Sequence, residues 1–395
     1  MKAPLLYISY DGMLEPLGQS QVLAYLERLA DEREVHLISF EKPHDRGGEA
    51  ERAVAGRLRA AGIAWHPHRY HKRPSALATA WDILAGTRTG LRLARWRRIG
   101  IVHARSDVPA AMALAIKRLT GARFLFDMRG FWADERVDGG LWPRDGLLYR
   151  IAKRCERRFL LGADHVVSLT EAGLRELRRL DFLRGRMPPA TVIPTCADLD
   201  RFAPAAAPPP GFVLGYVGSA GTWYLFDAVV ACFARLRERR PDARLLVVNR
   251  GEHAYVRERL RAGGVPEDAV ELRAAAHDEV PAQMARMHAG VFFIRPAYSK
   301  QASAPTRLGE FLGCGLPCLS NAGVGDMAAV LEGERVGVAL DAFDDDALRR
   351  GLDALEALLR EPDLRARCVR AARRHFSLDE GVARYRAVYA ALETR

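Results

Sequence analysis

Along the first half of the chain, short apolar runs alternate with stretches in which apolar positions recur every three or four residues. The runs are "LLYIS" (5–9), "VHLISF" (35–40), "IVHARS" (101–106), "FLFDMRG" (124–130) and "HVVSLT" (165–170), several of them closing on polar residues. Val22, Leu23, Leu26 and Leu29 in "QSQVLAYLERLADE" share one face at helical spacing. "AERAVAGRLRAAG" predicts another helix, ended by Gly62. Alternating strands and helices of this length predict a parallel sheet covered on both faces.

The alternation breaks at "DLDRFAPAAAPPPGF" (198–212), where the run from Pro204 to Gly211 can continue neither a helix nor a central strand. That run is the predicted linker. Beyond it come the strands "FVLGYVGS", "RLLVVNR", "AVELRA", "GVFFIR", "CLSN" and "GVALD". The helices "YLFDAVVACFARLRER", "AYVRERLRAG" and "VPAQMARMHA" fall between the earlier of them, and further helices close the chain. The predicted class is α/β, with two doubly wound domains at 1–204 and 205–375. Ligands of such sheets bind outside the carboxyl ends of the strands, so residues just past strands, in a cleft between the domains, are expected to carry the chemistry.

A length of 395 residues exceeds what one core usually serves. With 49% hydrophobic and 28% charged residues the composition is that of a globular protein. No apolar run approaches the roughly 18–20 residues that span a bilayer. "MKAPLLYISYDG" reads as a first strand, not a signal peptide. Cys155, Cys196, Cys232, Cys314, Cys318 and Cys368 form no CxxC pair and no zinc set, although Cys314 and Cys318 fit one helix face. Buried reduced thiols and a cytoplasmic location are expected.

The net charge of +11 is concentrated in residues 1–204, which hold 34 Lys+Arg against 24 Asp+Glu. Between Arg69 and Arg105, nine cations face only Asp82. A membrane surface, a phosphorylated acceptor or a nucleic acid would suit such a domain, as would a plain solvated face. No interleaved basic–aromatic module is present, which sets nucleic acid aside. In "PSALATAWDILAGTRTGLRLARWRR", Leu77, Trp81, Leu84, Leu91 and Leu93 with clustered Arg suit an anionic leaflet. A pair of core-packing helices is the alternative.

Several strand-ending loops carry candidate chemistry. In "GYVGSAGTWY" (215–224), Gly218 and Gly221 let the backbone approach a ligand, and Ser219 and Thr222 add hydroxyls. A glycine turn feeding a helix N-terminus suits phosphate, though neither GxGxxG nor a Walker loop is present. A structural turn remains the alternative. In "SYDGMLEPLGQS" (9–20), Asp11 follows the strand, and Gly12 and Gly18 bracket a loop longer than usual. It suits an acceptor or closure over a phosphate. "FDMRGFWADER" (126–136) sets Asp127 and Arg129 beside Phe131 and Trp132, which fits a sugar or phosphorylated acceptor. A structural Asp–Arg pair with core aromatics fits as well. His103 and Arg105 in "IVHARSD" are strand-terminal too, and a lone His is often a satisfied core residue.

"QASAPTRLGEFLGCGLPCLSN" (301–321) starts a helix near Pro305, where Ser303 or Thr306 can cap and leave amides for phosphate. Lys300 and Arg307 can neutralise a diphosphate. Glu310, about one turn further in, suits a vicinal diol such as a ribose. A nucleoside diphosphate satisfies both demands.

With these loops in place the chain resembles a GT-B glycosyltransferase of the glycosyltransferase family 4-like group, the bacterial polysaccharide and lipid-linked glycan type. The resemblance is carried by "YISYDGMLEPLGQSQVL", "FDMRGFWADERVDGGLW", "VIPTCADLDRF", "GYVGSAGTWY" and "SAPTRLGEFLGCGLPCLSNAGVGDM", spread over residues 7–327. It implies two Rossmann-like domains facing a central cleft. The nucleotide-sugar would sit in 205–375, the acceptor mainly in 1–204, and a terminal helix at 376–395 would pack back on the first domain. It further implies retaining transfer from a UDP- or GDP-sugar to a glycan or lipid-linked acceptor, without metal or cofactor. Surface polysaccharide biosynthesis, at the inner face of the cytoplasmic membrane, is the implied setting.

By position, Glu310 resembles the second carboxylate of the family's Glu-x7-Glu motif, and the first falls at Ala302. The Arg and Lys that commonly follow the glycine turn are missing, which leaves Arg250, Lys300 and Arg307 for the diphosphate. Arg129 or Asp127 stands where the family frequently has a His. The expected catalytic residues are therefore Asp127, Arg129 and Lys300. The expected donor site is Gly218, Ser219, Gly221, Thr222, Arg250, Lys300, Ser303, Thr306, Arg307 and Glu310. The acceptor is expected at Asp11, Gly12, Gly18, His103, Arg105 and Trp132.

A front-face displacement needs no paired carboxylates, and no hydrolase-type pair is found in these loops. A sugar-nucleotide epimerase, a phosphorylase with Lys300 as its Schiff-base residue, and a non-catalytic glycan-binding subunit are the rival readings.

Overall fold

The run Leu5–Ser9 forms β1 with every residue buried, as befits a strand covered by helices on both faces. The computed structural model describes residues 2–205, 210–276 and 278–394. They fall into two compact units, one reaching to Pro194 and including the last helix Leu378–Glu393, the other Thr195–Ser377. Of the predicted linker Pro204–Gly211, residues 206–209 lie outside the described residues.

The first unit continues with β2 (Val35–Glu41), β3 (Ile63–Arg69), β4 (Ile101–Arg105), β5 (Arg123–Asp127), β6 (His165–Ser168) and β7 (Ala190–Val192). Its seven strands are parallel in the order β3-β2-β1-β4-β5-β6-β7. The order reverses between β1 and β4, so the loops after those strands part there and leave a crevice.

The apolar pattern did not reveal β3, because His66, Pro67 and His68 interrupt it. An edge position explains the Pro, whose missing N–H has no ladder partner to lose. The basic segment after β3 is one helix, Ser75–Trp96, not a pair. The helix runs on through Gly86 and Gly90, where a side chain would run into Met112 or Ile116 of the helix Asp107–Thr120.

The second unit holds β8 (Val213–Val217), β9 (Arg244–Val248), β10 (Val270–Arg273), β11 (Ala289–Val291), β12 (Cys318–Asn321) and β13 (Gly337–Leu340). All six are parallel in the order β10-β9-β8-β11-β12-β13, reversing between β8 and β11. Phe233, Phe292, Phe293 and Phe311 are wholly buried in its core.

The predicted strand "GVFFIR" is laddered only through Val291, and Ile294 then bridges Tyr224. The predicted helix "VPAQMARMHA" shortens to Val280–Met284. All six cysteines are free and all but Cys155 are buried. Cys314 follows a helix while Cys318 opens β12, so they share no helix face.

Candidate functional site

In the second unit, the chemistry gathers at the reversal between β8 and β11. The helix Thr306–Gly313 is apolar enough to bury all but its first residue, and it carries Arg307 and Glu310 down with it. The Arg307 guanidinium lies 4.0 Å from the centre of the Tyr224 ring and bonds to Tyr216. Its Nη1 is buried without a hydrogen-bond partner. Gly218 sits directly against it, with φ at +102°, and a side chain there would collide with Nη2. Only glycine meets both demands.

Burial raises the Glu310 carboxyl, and Arg307 and Arg201 offset this in part, leaving its pKa at about 7. Lys300 is buried in the short 3-10 turn Tyr298–Ala302, and its Nζ stands 3.7 Å above the Trp223 ring. Arg295 flanks the same ring at 4.8 Å.

Some expected features are absent. Neither Ser303 nor Thr306 caps the helix, because the N-cap position is Pro305, which has no side-chain acceptor. In the glycine turn, the amides of Ala220 and Gly221 do not face outward. They donate to the Glu252 carboxylate at 2.8 and 3.0 Å. Thr222 has φ at +60° and is exposed with Ser219 and Arg250. Ala302 is buried.

In the first unit, the residues expected to contact a substrate divide into two groups. Asp127 and His103 lie under the surface, 0% and 1% exposed. Tyr385 on the last helix donates to Asp127 at 3.0 Å, and Tyr389 bonds His103 Nδ1 at 2.8 Å. His103 Nε2 stands 3.4 Å from Asp127. Burial lowers the His103 pKa, so the ring is neutral, donating to Asp127 and accepting from Tyr389. Burial by itself would raise Asp127, but Arg129, His103 and Arg105 outweigh it and hold the carboxyl at about 2.

Asp127 was expected as a catalytic residue and His103 as an acceptor contact, and the structure places both beneath the surface. Each is enclosed, and both ring nitrogens of His103 are engaged inside the protein. They contact the last helix through Tyr385 and Tyr389, and Arg105 Nη1 lies 3.9 Å from Asp127.

Arg105 is buried as well, 4% exposed, but its Nε donates to Asp11 at 3.2 Å, and the Asp11 side chain is 44% exposed. Gly18 packs on the carbonyl of Gly12, closing the loop on itself. Trp132 is T-stacked on Trp142 at 5.3 Å and lies under Arg136 at 5.2 Å. Arg129 Nη1 reaches 3.7 Å from Asp127.

Tyr216, Trp223, Tyr224, Asn249 and Glu252 join the site without having been expected from the sequence. The aromatic pair in "TWY" was the available signal for two of them. Glu252 lay in a loop that gave none.

Residues 18–196 match the model of the glycosyl transferase 4-like domain, and residues 200–375 match that of glycosyl transferases group 1. No match was found among curated proteins. Among solved structures, a glycosyltransferase from Rickettsia africae aligns with 99% of this chain and 98% of its own, at TM-score 0.73 and 14% identity. Sucrose-phosphate synthase from Thermosynechococcus elongatus aligns over 100% of both chains at TM-score 0.75 and 15% identity. The Anabaena protein HepE, solved with UDP-glucose, covers 98% of this chain and 100% of its own at TM-score 0.68 and 13% identity. At such identity the likeness is one of fold.

Proposed function

As a glycosyltransferase of GT-B fold, 4-like in its first half and group 1 in its second, the chain transfers a sugar, and we propose that its donor is a UDP- or GDP-sugar held by the second unit. The observation that carries this is Arg307, a buried guanidinium with an unpartnered Nη1. Gly218 lies against its Nη2 with no side chain between, and a carboxylate stands one turn along the same helix. A cation kept dry with donor capacity to spare suits a diphosphate. HepE, solved with UDP-glucose, supports a uridine donor.

The reaction proposed is a retaining, front-face displacement without metal. The bond from the sugar C1 to the diphosphate oxygen breaks, and its electron pair leaves with the diphosphate. The acceptor oxygen bonds to C1 on the same face and passes its proton to the departing phosphate oxygen. Arg307 and Lys300 stabilise the charge that develops there. Asp11, Arg105 and Trp132 receive the acceptor, a glycan or a lipid-linked glycan, while Asp127 orients Arg105. Incubating the protein with UDP-, GDP-, ADP- and dTDP-sugars identifies the donor by thermal shift. Stabilisation by none of them would overturn the proposal.

The acceptor side suits a membrane surface. The helix Ser75–Trp96 exposes Leu77, Trp81, Leu84 and Trp96 at 62–77%, along with Arg88 and Arg95. Leu147, Leu148 and Ile151, on the helix Leu147–Gly162, are exposed as well. Among the described residues, no helix is long and apolar enough to cross a membrane. The exposed apolar and Arg side chains support peripheral seating on an anionic leaflet, at the inner face of the cytoplasmic membrane in this reading. Flotation with phosphatidylglycerol vesicles at low salt is expected to carry the protein upward, and Trp81→Glu with Leu84→Glu to leave it behind. Failure of the unaltered protein to float rules the seating out.

A further inference from the structure

The glycine turn after β8 already holds an anion of its own. Successive N–H groups that converge on one point make an anion nest, and those of Ala220 and Gly221 converge on the two oxygens of Glu252. Asn249 secures the carboxylate from behind. Its side-chain nitrogen donates to Glu252 at 2.9 Å and to the Gly218 carbonyl at 3.0 Å. Its oxygen accepts from the amides of Gly251 and Glu252 at 3.1 and 2.6 Å. Burial alone would raise the Glu252 pKa, but the bonds from Ala220, Asn249 and Gly221 lower it, so the nest holds a carboxylate and not an acid.

The first unit repeats this arrangement. Glu41, wholly buried at the end of β2, accepts from the amides of Met13 and Leu14 at 2.9 and 3.2 Å. These amides belong to the loop after β1, and the Ser39 hydroxyl donates to the same carboxylate at 2.6 Å. Each sheet thus uses a carboxylate at or just past its second strand to tie down two successive amides after its first strand. Glu41 is enclosed and can only be a fastener. The same bonding pattern argues that Glu252 is one too.

We infer that Glu252 is a positioning residue of the donor site. By drawing the Ala220 and Gly221 amides inward, it sets Gly218 against Arg307 and leaves the Ser219 and Thr222 amides for the ligand's phosphates. Those two amides make no backbone hydrogen bond within the described residues. The left-handed backbone of Thr222 is costly for a residue with a branched side chain, and the fastened pair just before it holds that shape. The inference rests on the donor-site reading above and adds how that site is shaped. The competing view treats Glu252 as a stand-in that a phosphate displaces, and it predicts the opposite sign.

Calorimetric titration with UDP and with uridine separates these views, with GDP and guanosine as a second pair. Glu252→Ala is expected to weaken UDP binding about tenfold, the worth of one charge-assisted hydrogen bond, with uridine affinity unchanged. Glu252→Gln keeps one acceptor oxygen for the nest and is expected to lose about threefold. Donor KM should rise in both while kcat at saturating donor stays level.

Unchanged or tighter UDP binding by Glu252→Ala, with Arg307→Met weakened, would overturn the inference and leave the donor site standing. A parallel loss of uridine and UDP binding would overturn it as well, since it would show general disorder of the site. If neither variant differed from the parent protein, the donor-site reading itself would fall.

Discussion

Replacing Arg307 with methionine lowers sugar transfer by about a hundredfold to a thousandfold, the usual cost of removing one preorganised donor from a developing negative charge. The folded protein is expected to be no less stable for the change. Arg307 is 9% exposed, its Nη1 has no partner, and its guanidinium rests on Tyr224 among apolar residues. A buried charge without full compensation weakens a fold, and an apolar replacement of similar length is often neutral or stabilising. For a unit the size of Thr195–Ser377, each kcal/mol recovered raises the thermal midpoint by about 2–4 °C. A guanidinium serving only the fold would give the reverse result, with stability falling and turnover unharmed. Thermal unfolding measured beside initial rates distinguishes the two, and a destabilised but fully active variant would refute the assignment.

The second large effect concerns Glu310 and pH. Its carboxyl titrates at about 7, raised by burial and only partly offset by Arg307 and Arg201. A ribose diol donates to the ionised form, so binding below that pH must first remove a proton. Donor affinity should therefore rise with pH, by up to about tenfold per unit, and level off above about 7. The phosphodiester oxygens of a nucleotide-sugar do not titrate in this range, which leaves Glu310 to set the slope.

Glu310→Gln should bind donor about tenfold to a hundredfold more weakly at pH 8, with a flat profile. The stability of the empty protein runs the other way. A pKa raised on folding gives a contribution that is complete below the unfolded value of 4.5 and is lost as pH rises through about 7. The loss is about 3 kcal/mol at most. Glu310→Gln lacks it and should melt at a higher temperature than the parent at pH 8. A sloping profile in this variant would count against the diol assignment.

Much of the fold was legible because strands covered on both faces are nearly continuous apolar runs. "LLYIS", "VHLISF" and "RLLVV" could be read as strands with no knowledge of their neighbours. β3 could not, since its tolerance of Pro67 depends on being an edge, and an edge exists only once the sheet is assembled. The helix Ser75–Trp96 was obscured for a related reason. Nothing in the string marks Gly86 and Gly90 as what they prove to be, contact points with a neighbouring helix.

In the site, the chain by itself determined that Arg307 and Glu310 lie one turn apart on one helix and that a glycine turn precedes another. It also determined the basic bias of residues 1–204, since spacing and charge are properties of the string. Only the tertiary structure decided which polar groups remain available. Asp127 and His103 stand at strand ends in the sequence just as Asp11 does, yet Tyr385 and Tyr389 arrive from the far end of the chain and enclose them. Ala220 and Gly221 look like free donors until Glu252 folds onto them. A hydrogen-bonding group is available only if nothing else in the fold reaches it, and residues distant in sequence settle that.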